Sequence, residues 1–389
     1  MTRGAMMLHG RFRYLAVVVA VLVAGIVVPA STASAAPVLH VPQQYATVQS
    51  AIDAAPTGAT IVVAPGTYTE QLSITKSVSV RGAGASATII QAPQSLVPLP
   101  NVVVNPGFGW GPDISGLVVV GNHADVTISG VSVTGPLPCG TVVGVWAIQG
   151  ANLRLTDSTV SDLLASDPAC SITWGVIFGA TPGFAFDGHP GTYATGEVRH
   201  TTVDTFRNAG LLAIAPHDGT VTRATFRDNT VRIGADVADV GTVAVRVLLD
   251  AVATITGNTI VGGRCNFAPW CGPDFLNDIQ SAAVDVAGLA GTVVTGNHIS
   301  GSDIGFIGET PVKFSGNTVT DNKYAGIAFA YVDAVTSGNV ISGNPIGIVV
   351  AAISQDSSVL SSGDQISNYT ESATQTLACC GFVATITTK

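Results

Sequence analysis

An asparagine returns at the head of one short alternating stretch after another through the second half of the chain. The copies read Gly257-Asn258-Thr259, Gly296-Asn297-His298, Gly316-Asn317-Thr318 and Gly338-Asn339-Val340, with a looser one at Asp228-Asn229-Thr230. The asparagines stand 29, 39, 20 and 22 residues apart. The last two steps are the basic period, and the longer ones are that period with a loop inserted. After each Asn the apolar residues alternate, as in Thr259-Ile260-Val261 and Val340-Ile341-Ser342. Two-residue alternation inside a period of about 20 specifies a parallel β-solenoid and excludes a helical array. One coil cannot bury its own apolar face, so coils must stack, and equivalent residues fall above one another. An Asn at every turn can then pair its amide with the copies above and below.

The first 35 residues have the pattern of a cleaved export signal. Arg3, Arg11 and Arg13 form a basic region, Leu15 to Val28 is a 14-residue apolar run, and Ala33-Ser34-Ala35 is a small-residue cleavage site. The run is short for a membrane span. The expectation is a secreted, extracellular chain, residues 36–389, with no membrane attachment after cleavage and no linker dividing it. Charged residues make up only 11% of the chain, which suits strands whose inner face is sealed by stacking. Losing the three arginines takes the formal net charge from −9 to −12. Such a surface repels nucleic acid and anionic membranes, and repels a polyuronate unless a cation such as Ca²⁺ bridges the two. A monomer is expected.

Six cysteines in an exported chain point to disulfides, since no Cys/His cluster has zinc spacing. Cys265–Cys271 would close a short loop and Cys139–Cys170 a longer excursion. The adjacent Cys379 and Cys380 have Cα atoms about 3.8 Å apart, below the usual disulfide range, and their pairing is left open.

Along residues 45–55, Val48, Ala51, Ile52 and Ala55 recur at helical spacing behind Thr47, a suitable N-cap. A short helix there would cover the first coil, which otherwise exposes apolar core and unpaired strand edges. Coils are expected from about 58 to 366, and residues 367–389 as a last coil or distal cap.

The run from Tyr45 through Thr47-Val48-Gln49-Ser50-Ala51-Ile52 to Pro56, continuing into Thr60-Ile61-Val62-Val63-Ala64-Pro65-Gly66-Thr67-Tyr68-Thr69-Glu70, resembles the opening of pectin-lyase-like right-handed parallel β-helix proteins. The Gly-Asn coils resemble their generic repeat. The resemblance implies an all-β, single-domain right-handed parallel β-helix with a short N-terminal capping helix. It is weak for activity, because that superfamily contains lyases, hydrolases, esterases, epimerases and proteins with no known catalysis.

Gly66-Thr67-Tyr68-Thr69-Glu70 is similar to the first block of pectin methylesterases, but the later Gln-Asp, Asp-Phe and Arg-Trp blocks do not follow. Its role is expected to be a turn at Gly66 and packing of Tyr68 under the cap. The paired aspartates, Gly-His-Gly and Arg-Ile-Lys of polygalacturonases are also missing; the nearest histidine context is Asp187-Gly188-His189-Pro190. Pectate-lyase-like chemistry needs carboxylates for Ca²⁺ and an Arg or Lys to take the proton α to the uronate carboxyl.

One alignment bears on that chemistry. Arg246 stands 12 residues before Asn258, and Asp285 stands 12 before Asn297. Val245, Val247, Val284 and Val286 flank them, so alternation turns the valines in and Arg246 and Asp285 out, about 5 Å apart on neighbouring coils. Trp146 falls near the same register. The stripe is either the floor of a sugar site, with Arg246 as base or clamp and Asp285 as acid or cation ligand, or a cross-strand ion pair beside a packed Trp. Aromatics gather in inserted loops: Trp110 in one, Phe186 with Asp187 and His189 in a second, Trp270 in the Cys265–Cys271 loop. Such loops suit stacking on sugar rings. Lys323, in Asp321-Asn322-Lys323-Tyr324, reads as generic coil-turn sequence rather than a lyase base. Two functions stay open: a protein that binds or cleaves an extracellular polysaccharide, as an acidic-glycan lyase or hydrolase, and a non-catalytic structural or adhesion protein.

Overall fold

The computed structural model describes residues 36–98, 114–164, 171–180, 193–216, 219–234, 242–266, 269–275 and 277–389, and the backbone of 102–103 and 185–186. Among these, three parallel sheets of 13, 11 and 11 strands run the length of the molecule, each strand pairing with its counterparts on the coils before and after. One coil shows the pattern. Strand Ala251–Thr256 lies in the first sheet, Thr259–Val261 in the second, and, after the disulfide-bearing excursion, Ala282–Ala287 in the third. The chain is therefore an all-β parallel β-helix. Among the described residues no helix is long and apolar enough to cross a membrane.

Alternation decides what faces in. In the second sheet Val231, Ile260, Ile299, Val319 and Ile341 stack in register, all essentially fully buried. The residue between the first two sheets must adopt a left-handed conformation to turn the chain. It is Gly257, Gly296, Gly316 and Gly338 on the later coils, at φ of 67°, 66°, 63° and 62°, and Asp157, His200 and Asp228 on earlier ones. Glycine takes this conformation without a Cβ penalty, and Asp is one of the few other residues that tolerate it.

Immediately after this column runs the expected ladder. Asn229, Asn258, Asn297 and Asn317 each donate Nδ2 to the Oδ1 of the next copy at 2.9–3.1 Å, and each Oδ1 also accepts the backbone N–H of the residue before it in the stack. These amides are 0–2% exposed, so their mutual pairing meets a demand that burial would otherwise leave unmet. The ladder has a direction, and its ends follow from it. Thr201 supplies the first backbone donor. Asp364 supplies the last acceptor: its Oδ1 takes Asn339 Nδ2 at 2.7 Å, and its Oδ2 takes the hydroxyls of Ser361 and Thr336. A carboxylate, which only accepts, suits that terminal position. A second, shorter ladder links Ser302 N–H, Asn322 and Asn344 at the next corner.

The helix spans Val48–Ala54 within the expected 45–55, starting behind its N-cap Thr47 and ending where Pro56 enforces extended backbone at Ala55. Thr47 caps it through a capping box with Ser50. Val48, Ala51 and Ile52 enter the core at the open end of the first coils. Glu70 completes the cap, its two carboxylate oxygens accepting the N–H groups of Val48 and Gln49 at 2.9 and 2.8 Å. Tyr68 packs against the core, and its hydroxyl donates to the Ala64 carbonyl. At the other end, Ser372–Ala378 and Ala384–Thr388 pair into the third and first sheets as continuing strands.

Cys265 and Cys271 are disulfide-bonded across 5.6 Å of Cα separation, and Cys379 is bonded to its neighbour Cys380. Cys139 is disulfide-bonded, and its expected partner Cys170 lies outside the described residues.

Candidate functional site

The outward faces of the third sheet form one continuous row. From Val119 it passes in register through Trp146, Ile177, Leu212, Arg246, Asp285, Ile307, Ala328 and Val349 to Gln375. Trp146 therefore stands on the same row as Arg246 and Asp285, three coils away. Most of this outer face is apolar. Ile114, Val143, Trp146, Trp174, Ile177 and Leu212 form one buried cluster on the early coils, and Ile304, Ala325, Ala328, Ile346 and Val349 another on the late ones. Arg246 and Asp285 sit between the two.

They meet as the alternation requires. Val245, Val247, Val284 and Val286 are fully buried on the inner side, and Arg246 Nε donates to Asp285 Oδ2 at 2.8 Å across the two coils. The remaining guanidinium N–H groups of Arg246 make no hydrogen bond or ion pair with any described residue. The Asp285 side chain is only 10% exposed, and its Oδ1 is buried without a hydrogen-bond partner. Burial pushes the Asp285 carboxyl above the usual carboxylate range, against the opposing pull of Arg246. Glu309 joins them from the next coil. Glu309 is exposed to solvent just past strand Ile304–Gly308, and its carboxyl is shifted upward by desolvation and then by the negative charge of Asp285, with Arg246 acting in the opposite direction. A buried carboxyl disposed to keep a proton, beside a guanidinium with open donors and an exposed second carboxyl, can protonate a leaving oxygen and grip an anionic or hydroxyl-rich ligand.

Glu309 was missed in the sequence because it does not stand in register with Asp285. Ile307, the residue in register with Asp285, precedes Asn317 by 10 positions rather than 12. Glu309 follows two residues later, just past the end of strand Ile304–Gly308.

The remaining candidates divide. Trp146 is completely buried in the early apolar cluster, with its indole N–H on the Gly179 carbonyl at 2.8 Å. It has no ring face open to a sugar and serves packing. Trp270 is 59% exposed on the Cys265–Cys271 loop. The ends of that excursion are clamped by one fully buried carboxylate: Asp303 Oδ2 accepts the N–H groups of Cys265 and Ser281 at 2.8 and 2.9 Å. Lys323 lies 3.9 Å from the other oxygen of Asp303, a structural counter-ion in keeping with its coil-turn context. Trp110, Asp187 and His189 lie outside the described residues; of Phe186 only the backbone is described, in a two-residue strand antiparallel to Val102–Val103. Among the described residues no group of three or more His, Cys, Asp and Glu is placed to hold a metal ion. Asp285, expected as acid or cation ligand, is engaged instead by Arg246.

The stacked sheets define a right-handed parallel β-helix protein, the fold expected from its opening residues. A family model described as "Right handed beta helix region" matches residues 209–382. The sequence has no significant match among curated proteins. Among solved structures it is similar to an alginate lyase from a Paenibacillus species, at 14% identity, TM-score 0.44, with 86% of this chain and 95% of that one covered. A mannuronan C-5 epimerase A-module of Azotobacter vinelandii matches at 12% identity and TM-score 0.48, covering 87% and 94%. A lacto-N-biosidase from Eubacterium ramulus matches at 12% identity and TM-score 0.49, covering 86% of this chain and 62% of that one.

Proposed function

We propose that the protein is exported, binds an extracellular polysaccharide along the outer face of the third sheet, and cleaves it at Arg246, Asp285 and Glu309. One observation carries the reading: in an otherwise apolar outer row, Asp285 is buried with one oxygen unpartnered and with its carboxyl raised. A purely structural ion pair is better satisfied when both oxygens are bonded, because an unmet buried acceptor costs about 1–3 kcal/mol. In this reading Asp285 delivers its proton to the departing glycosidic oxygen, Glu309 in its ionised form takes a proton from the water that attacks the anomeric carbon, and the open N–H groups of Arg246 hold a uronate carboxylate or ring hydroxyls. Where the substrate is a polyuronate, Ca²⁺ between its carboxylates and the acidic surface offsets the repulsion from a mature net charge of −12.

The test is release of new reducing ends from a panel of plant and microbial polysaccharides, with and without Ca²⁺, by the protein and its Asp285→Asn variant. Release that the variant loses supports cleavage at this site. Equal release by both places the chemistry elsewhere, and no release from any polymer returns the protein to a binding or structural role.

A further inference from the structure

Four coils beyond Asp285 the same outward row ends at Gln375 beside a cavity of about 270 Å³. With coils about 4.8 Å apart, it lies about 19 Å along the face from the Arg246–Asp285 pair. Phe275 enters from the disulfide-bearing excursion and packs on the late apolar cluster. Tyr324 comes from the turn before strand Ala325–Ala330, and Glu371 from the turn before Ser372–Ala378.

The polar groups of this cavity are mostly acceptors. Gln375 Oε1 is buried and has no hydrogen-bond partner. The Glu371 carboxylate and the Tyr324 hydroxyl make no hydrogen bond with any described residue. Asp274 is held by Asn277, whose Nδ2 donates to it at 2.7 Å. Among the described lining residues there is no Lys or Arg; the Lys323 ammonium sits 4.6 Å from the centre of the Tyr324 ring. Two aromatic rings supply the flat apolar surface on which a sugar ring stacks. The Glu371 carboxylate and an unmet amide oxygen call for a ligand rich in donors, and the two carboxylates of Asp274 and Glu371 repel one that carries a carboxylate, sulfate or phosphate.

We infer that this cavity is a second glycan-binding site that takes a neutral or amino sugar residue and excludes a uronate. The assignment rests on the outer face being a polysaccharide track and adds the kind of sugar met at its C-terminal end. Combined with a guanidinium site five coils away, it makes the fitting polymer one of mixed composition, with donor-rich units alongside anionic ones.

Binding of three tetrasaccharides to the full chain tests this directly: cellotetraose, a glucosamine tetramer and tetragalacturonate, titrated by calorimetry against the wild type, Tyr324→Ala and Glu371→Gln. At least one of the first two is expected to bind saturably and to weaken about tenfold in Tyr324→Ala, the size of one lost aromatic contact. If the glucosamine tetramer is the ligand, Glu371→Gln weakens it as well; if cellotetraose is, Tyr324→Ala has the larger effect. Glu371 is exposed at the surface, so its variant keeps the test valid if Tyr324→Ala is misfolded by thermal melting. Absence of binding by both donor-rich probes overturns the inference, as does tetragalacturonate binding that either variant abolishes. Titrating Asp285→Asn in parallel separates the two claims, because loss of cleavage there leaves binding at this cavity unchanged.

Discussion

Arg246 and Asp285 lie 39 residues apart in the chain yet face each other on adjacent coils, Nε to Oδ2 at 2.8 Å, and the second oxygen of Asp285 is left buried and unbonded. The pair combines a nearly buried acid with a partly exposed base, at 10% and 32% side-chain exposure. Burial outweighs the Arg246 charge, so the Asp285 carboxyl sits above its ordinary value in the folded state.

That shift fixes a sign. A carboxyl raised in the folded protein leaves stability fully present below its unfolded value of about 3.9, and the contribution falls as pH rises through the folded value. Thermal unfolding between pH 4 and 7 should show a midpoint that falls with pH. Asp285→Asn, which cannot titrate, should flatten the part of that slope due to Asp285, while Asp303 and Glu309, raised in the same direction, maintain the rest. An unchanged slope in the variant would contradict the assignment.

The ladder makes an asymmetric demand. Asn297→Ala removes the acceptor for Asn258 N–H and Nδ2 and the donor to Asn317 Oδ1, and should cost about 2–4 kcal/mol in urea unfolding. Asn297→Asp should cost more, since its second oxygen would face Asn317 Oδ1 in place of a donor. At Asp364 the order reverses: Asp is suited there, and Asp364→Asn loses acceptor capacity toward Ser361 and Thr336.

Glu70→Ala should loosen the cap helix without disturbing the coils. It strips two N–H groups of their charged acceptor, a loss of about 1–2 kcal/mol. Limited proteolysis should show earlier cutting within residues 45–55, with the stack behind them still protected.

The two tryptophans with described side chains that were singled out in the sequence should behave oppositely. Trp146→Ala empties a fully buried site and should cost about 3–5 kcal/mol. Trp270→Ala, at 59% exposure, should leave the melting midpoint within about a degree or two and weaken retention on whichever polysaccharide the protein binds.

The repeat was legible because stacking forces like onto like. Asn258 and Asn297 are 39 residues apart in the chain, yet the shared Gly-Asn phrase was enough to bring them together, and counting back from it aligned Arg246 with Asp285. The same count could not separate Trp146 the sugar platform from Trp146 the packed side chain, since both put it on the outer row; what decides is whether that face is covered. Glu309 escaped because the residue stacked on Asp285 is Ile307, and Glu309 lies two residues further on, past the strand end, where no repeat position marks it. The cavity at Gln375 joins residues 275, 324, 371 and 375 from three separate turns and one strand, and no local motif marks it. Glu70 was read as part of a turn block, whereas its carboxylate acts on a helix N-terminus about 20 residues upstream.

The most direct measurement is reducing-end release from the polysaccharide panel by the wild type, Asp285→Asn and Arg246→Ala, each checked for an unchanged fold. The expected result is release from at least one polymer, falling by about 100-fold or more in Asp285→Asn, the scale of a lost general acid, with Arg246→Ala also impaired. Undiminished release in both variants would contradict the central claim, as would no release by the wild type from any polymer.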